Sequence, residues 1–138
     1  MKITFLSQKE AEALDPEPTM AIISIVSTGG KRDLKPGWAS RIDLEFNNVT
    51  KIVPEEERFS GYKVFDVVMA EKLVQFIKTL PSGVLHIVIH CHDGASRSAA
   101  IAKVLCEKYN APFPIDHPYF NILVYTLFKE VMQKQNLL

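Results

Sequence analysis

The sequence predicts a single α/β domain over residues 1–138, with a central, mostly parallel sheet flanked by helices. Three observations predict it. Short apolar, β-branched runs alternate with longer stretches of helical period. The most strand-like run, residues 84–90 (VLHIVIH), passes directly into a helix-forming segment, the order of a βα unit. A chain of 138 residues is long enough for one core and too short for two ordinary ones.

Taken in order, Ser7 and Glu10 have the spacing of a capping box, opening a short helix through Leu14 that Pro16 and Pro18 close. Residues 21–27 (AIISIVS) read as a buried strand ended by Thr28, Gly29 and Gly30. Residues 33–40, with Pro36, Gly37 and Trp38, read as an exposed excursion. Residues 41–46 alternate Ile42, Leu44 and Phe46 with Arg41, Asp43 and Glu45, a half-buried strand. Residues 50–62, carrying Glu55, Glu56, Glu57 and Arg58, read as a mobile loop with room for one helical turn.

From Asp66, placed as an N-cap, the period changes. Val67, Ala70, Leu73, Val74, Ile77 and Leu80 share one helical face until Pro81, Ser82 and Gly83 stop it. After strand 84–90, Ser96 or Ser98 opens a helix carrying Ala99, Ala100, Ala102, Val104 and Leu105. A last helix, about 119–135, is expected to turn Ile122, Leu123, Tyr125, Thr126, Phe128 and Met132 to the core.

Composition excludes several classes. Sixteen Lys plus Arg balance sixteen Asp plus Glu, so no basic field attracts nucleic acid, and any bound anion must be held locally. The apolar runs are far shorter than a bilayer span, and the N-terminus turns polar after six residues, unlike a signal peptide. Two cysteines make no disulfide framework, so a cytoplasmic, reducing location is expected. No His/Cys/Asp/Glu set has metal-ligand spacing, and neither metal nor cofactor is expected.

In a parallel sheet, ligand sites lie beyond the carboxyl ends of the strands. The segment there is His90-Cys91-His92-Asp93-Gly94-Ala95-Ser96-Arg97-Ser98. It sits at a helix N-terminus, where unpaired N–H groups and the helix dipole favour an anion. Gly94 lets the loop curl so that successive N–H groups converge, and Arg97 can give phosphate two parallel hydrogen bonds. The same field lowers the pKa of Cys91 toward a nucleophilic thiolate. The plain alternative is a buried structural cysteine in a tight βα turn.

The pattern His-Cys-x5-Arg-Ser, with its Gly and its Ser-Arg-Ser ending, resembles the signature of the protein tyrosine phosphatases, closest to the small dual-specificity type. Its place in the second half of the chain sets aside the low-molecular-weight branch. The resemblance implies a phosphatase acting on a phosphorylated protein or a small phosphoester. It implies that Cys91 forms a phosphocysteine and that Arg97 binds phosphate and transition state. It implies that Ser98 assists the sulfur as leaving group and His90 supports the loop, while His92, Asp93, Gly94, Ala95 and Ser96 present N–H groups. Asn121 matches an asparagine in the last helix that braces the loop in related proteins.

The pattern departs from that family at the general acid. An acidic residue is expected after the second strand, where Phe46-Asn47-Asn48-Val49 offers only amides. Asp66 is one candidate acid, with helix capping as its other role. Asp93 is the second. Its Cys-x-Asp-Gly setting is similar to that of the myotubularin phosphoinositide phosphatases, and bound phosphate would favour its protonated form. Its other role is a hydrogen bond within the loop or to a basic neighbour. Asp43 and the 55–57 run read as solvated charge.

Two rival functions remain at this point: a phosphate-binding module with little turnover, and a thiol redox or sulfur-transfer enzyme. Cys106 reads as a buried thiol or a disulfide partner for oxidised Cys91. His86 reads as a satisfied core histidine, and His92 as exposed or as selective for acidic head groups. His117 reads as a helix-boundary residue, and Trp38 and Tyr62 as cleft-lining or packing residues.

Overall fold

Four short runs rich in Ile, Val and Phe form the sheet. The computed structural model describes residues 1–51, 54 and 62–138. Its strands are β1 (Lys2–Ser7), β2 (Met20–Val26), β3 (Ser40–Glu45) and β4 (His86–Cys91), in spatial order β1-β4-β2-β3. Every pairing is parallel, with Ser7 level with Cys91 and Ser24 level with His90. The helices are α1 (Gln8–Ala13), α2 (Val67–Lys78), α3 (Arg97–Tyr109) and α4 (Ile122–Lys134). The expected α/β class is therefore found, with boundaries shifted by one to three residues at most ends.

β1 was not among the expected strands. Its six residues are too few to declare a period, and they run without a break into the capping box that opens α1. That box is present: Ser7 Oγ accepts from Glu10 N at 3.2 Å, and Glu10 Oε1 accepts from Ser7 N at 3.1 Å.

Side chains alternate across the sheet, so each strand feeds two cores. Ala21, Ile23, Ile25, Ile87, Ile89 and Cys91 face the main core under α2, α3 and α4. Fully burying an aliphatic or aromatic side chain there, such as Leu73 or Phe128, contributes about 1.5–3 kcal/mol relative to exposure. On the opposite face Met20, Ile22 and Val88 form a thinner core with Ala11, covered by Leu14, Leu34 and Trp38. Excursion 33–40 is thus not simply exposed: Leu34 and Trp38 cover a sheet face that α1 is too short to cover alone. Ser24 and His90 continue this thinner face toward the carboxyl edge, both fully buried.

Two helical faces need correction. Val67 is exposed, because it stands one residue inside the cap, before α2 reaches the sheet. α4 starts at Ile122, after Pro112, Pro114 and Pro118 have kept the chain irregular. It buries Val124, Phe128, Val131 and Met132, while Ile122 and Thr126 point to solvent. The buried stripe differs from the expected one because docking on α2 and α3 selects the face that is buried. The expected loop at 50–62 and the charges at 55–57 lie almost wholly outside the described residues.

Candidate active site

Cys91 ends β4, in the middle of the sheet, and α3 begins six residues later. The intervening turn needs Gly94, whose φ is +69°. A Cβ at this position would collide with the backbone of Leu6 and Ser7, so the turn is pressed against the end of β1. The unanticipated strand is therefore a wall of the site. Just beyond it, at the start of α1, Gln8 N–H donates to His92 O at 3.2 Å.

Three loop carbonyls are drawn away from the hollow of the turn. Gln8 N takes His92 O, His117 Nε2 donates to Ala95 O at 2.7 Å, and Asn121 N donates to Ser96 O at 3.1 Å. In a trans peptide the C=O and the following N–H point in opposite directions. The N–H groups of Asp93, Ser96 and Arg97 are accordingly turned toward the hollow, the arrangement an anion requires. Ser96, the N-cap of α3, makes no side-chain cap; its hydroxyl donates to Asn48 Oδ1 at 3.2 Å. The first turn of α3 keeps its N–H groups for the loop.

Cys91 Sγ lies at the base of this hollow, 2% exposed and 3.2 Å from Ser98 Oγ. Burial pushes the thiol pKa up. The Ser98 hydroxyl, the N–H groups of Ser98 and Gly94, and the positive charge of Arg97 outweigh it together, and the pKa falls below the ordinary thiol value. Arg97 is itself buried and anchored: Nη1 donates to Phe46 O at 2.7 Å and Ser27 Oγ at 3.0 Å, at the carboxyl ends of β3 and β2.

Behind the loop a buried relay crosses the sheet. Arg32 Nε donates to Ser24 Oγ at 2.7 Å, and Ser24 Oγ meets His90 Nε2 at 2.6 Å. His90 Nδ1 lies 3.4 Å from Cys91 O. Burial, above all, keeps the His90 pKa low, so the ring is neutral and carries one proton. Cys91 O can only accept, which places that proton on Nδ1 and makes Nε2 the acceptor of the Ser24 hydroxyl. Arg32 also donates to Leu44 O at 2.9 Å and pairs with Asp43 at 3.5 Å. Asp43 is also held by Arg41 at 2.8 Å.

Asn121 is fully buried and caps α4, its Oδ1 accepting Val124 N at 3.0 Å. Its Nδ2 donates to Asn48 Oδ1 at 2.8 Å and to Val49 O at 2.9 Å. Asn47 binds Thr28 through both ends of its amide, at 3.0 and 3.1 Å. The amides standing where an acid is expected thus tie the loop after β3 to the loop after β2 and to α4.

Of the two candidate acids, Asp66 caps α2, accepting Met69 N at 2.9 Å. Asp93 is 80% exposed with its carboxylate 3.7 Å from His92 Nε2. His92 and Asp93, but not Asp66, border an open cleft of about 720 Å³ beside the loop, whose other walls include Gln8, Lys9, Glu12 and Lys31. Glu12 is held below the usual carboxylate range by Gln8 Nε2 and by the N–H of Asp33.

The residues outside the signature sort differently from expectation. His86 bonds Thr4 Oγ1 at 2.7 Å, and burial keeps its pKa low, in line with a satisfied core residue. Trp38 packs in the thinner core, its Nε1 buried and without a hydrogen-bond partner among the described residues, and it does not line the cleft. Tyr62 is half-buried. Cys106 lies near the far end of α3, about 13 Å of helix rise from Arg97, so it cannot bridge to Cys91 in this fold.

Sequence reasoning did not single out Ser24, Ser27, Arg32 or the loop contact of His117. Ser24 carried a signal, as the lone polar residue inside an apolar strand. Ser27, Arg32 and His117 are brought in by loops and had none. Comparison of the chain with protein-family models, with curated proteins and with solved structures returned no match.

Proposed function

We propose that this protein is a cysteine-dependent phosphatase that hydrolyses phosphomonoesters through a phosphocysteine on Cys91. One observation carries the reading: a buried thiol whose pKa is lowered rather than raised, at the base of a loop whose N–H groups converge beside an anchored arginine. A structural cysteine needs none of these groups.

In this reading the phosphate dianion rests on the loop N–H groups and the guanidinium of Arg97. The Cys91 thiolate attacks phosphorus, an S–P bond forms, and the ester P–O bond breaks. The departing oxygen takes a proton from an acid or from water. Asp93, exposed within the loop itself, is the better candidate, since the Asp66 carboxylate is occupied by its cap. Water then attacks the phosphocysteine, releasing phosphate and a sulfur that Ser98 stabilises by donating its hydroxyl hydrogen. A reducing compartment, such as the cytoplasm, keeps such a thiolate active.

A second reading, a phosphate-binding module with little turnover, is favoured by Asn47 and Asn48, which hold loops together where an acid is expected. Hydrolysis of p-nitrophenyl phosphate from pH 5 to 8, compared with Cys91→Ser, separates the two, because p-nitrophenolate leaves without much protonation. Turnover that Cys91→Ser lowers by at least ~10³-fold is expected. Folded wild-type protein with a reduced thiol and no turnover would leave the binding module as the better account. Turnover insensitive to vanadate would instead favour sulfur chemistry.

A further inference from the structure

Segment 110–121 contributes nothing to the signature, yet it holds two consecutive carbonyls of the loop. Asn121 N–H takes Ser96 O, and His117 Nε2 donates to Ala95 O at 2.7 Å, the shorter of the two. The His117 ring is fixed by its neighbours: it meets Phe5 of β1 edge-on at 5.1 Å and Phe113 at 6.1 Å, and those two rings stack at 5.6 Å. The imidazole is thus held by aromatic packing while its Nε2–H reaches the loop.

The consequence follows from peptide geometry. The Ala95 carbonyl and the Ser96 N–H belong to one planar trans peptide, so fixing the first outward fixes the second inward. The groups that meet the Cys91 sulfur are different ones: the N–H groups of Gly94 and Ser98, the Ser98 hydroxyl and Arg97. The Ser96 N–H is therefore available to an oxygen of the bound phosphoryl group rather than to the thiolate.

We propose that His117 is a positioning residue for the phosphoryl group: its Nε2–H holds the Ala95 carbonyl outward and so presents the Ser96 N–H to the bound anion. The inference rests on the phosphatase reading of the same loop. It also separates two properties of the site. Removing the donor weakens oxyanion binding and leaves the thiolate as it was.

Two substitutions divide the ring from its hydrogen bond. His117→Phe keeps the packing against Phe5 and Phe113 and loses the donor. His117→Gln loses the ring and keeps a donor of similar reach. The measurements are the Kd for orthovanadate, kcat/KM on p-nitrophenyl phosphate, and the pH profile of iodoacetamide alkylation at Cys91. His117→Phe is expected to weaken vanadate binding and lower kcat/KM by ~10-fold, the effect of one hydrogen bond to a charged group, with the alkylation profile unmoved. His117→Gln is expected to stay within ~3-fold of wild type by the same measure.

Wild-type vanadate affinity in His117→Phe would overturn the inference, and so would an alkylation profile that shifts with the binding loss, since the whole loop would then have relaxed. A Gln variant worse than the Phe variant would show that packing, not the hydrogen bond, is what His117 supplies. Wild-type protein that neither binds vanadate nor turns over would remove the phosphatase reading itself, an outcome distinct from these.

Discussion

The two cysteines of this chain are nearly equal in burial, Cys91 at 2% exposed and Cys106 at 5%, and both are free thiols. Their acidities move in opposite directions. Burial raises the Cys106 pKa, with the charges of Lys103 and Glu107 opposing each other. Burial pushes Cys91 up as well, yet its pKa ends below the ordinary value. The two residues stand at opposite ends of α3, Cys91 before its N-terminus and Cys106 in its last turns. Cys91 meets N–H groups, a hydroxyl and a guanidinium; Cys106 donates to Pro112 O at 3.5 Å, a contact only the protonated thiol can make. The difference teaches that burial does not decide whether a thiol is reactive. The surrounding donors decide it.

The comparison breaks most easily on reactivity. Limited iodoacetamide labelling of the folded protein near pH 7, read by peptide mass spectrometry, is expected to mark Cys91 on the order of 10–100-fold faster than Cys106. The sign with pH follows from the direction of each shift. The Cys91 thiolate persists below the ordinary thiol range and is lost as pH falls through its lowered pKa. The Cys106 thiolate appears only above that range. Equal labelling rates across the profile would end the distinction.

A smaller change tests the donors themselves. Ser98→Ala removes the hydroxyl 3.2 Å from the sulfur, the strongest of the groups opposing burial at Cys91. Its Cys91 alkylation profile is expected to move to higher pH, toward that of Cys106. Turnover near pH 6 is expected to fall by ~10-fold, roughly the effect of one hydrogen bond to a charged group. An unmoved profile would mean that Ser98 does not tune the thiol.

Much of this was legible in the residues because it is local. The capping box at Ser7 and Glu10, the buried run of β2 and the Asp66 cap follow from neighbours within four positions. The order of residues 90–98 implied a strand, a turn and a helix start, and that geometry is found. What stayed hidden is what tertiary structure assembles. β1 becomes a strand by pairing with β4, 84 positions away, and only then does Gly94 acquire the wall that excludes a side chain. Ser24 bonds His90 because β2 and β4 are in register, and Arg32 joins them from a loop. The buried face of α4 depends on how it docks on α2 and α3, which a face drawn from hydrophobic spacing alone does not register.

The smallest effect is expected at Cys106, and it isolates the comparison from general damage to the helix the two cysteines share. Cys106→Ala does not lower the helix propensity of α3 and removes one buried sulfur with its long contact to Pro112 O. The lost packing is expected to cost about 1 kcal/mol, read as a lowered midpoint in urea with an unchanged slope. Cys106 lies about 13 Å of helix rise from Arg97, so any turnover of p-nitrophenyl phosphate and the Cys91 labelling profile are expected to stay within ~2-fold of wild type. Loss of turnover in a folded Cys106→Ala variant would show that the far end of α3 is coupled to the loop. The acidity of Cys91 would then belong to the whole helix rather than to the donors that touch its sulfur.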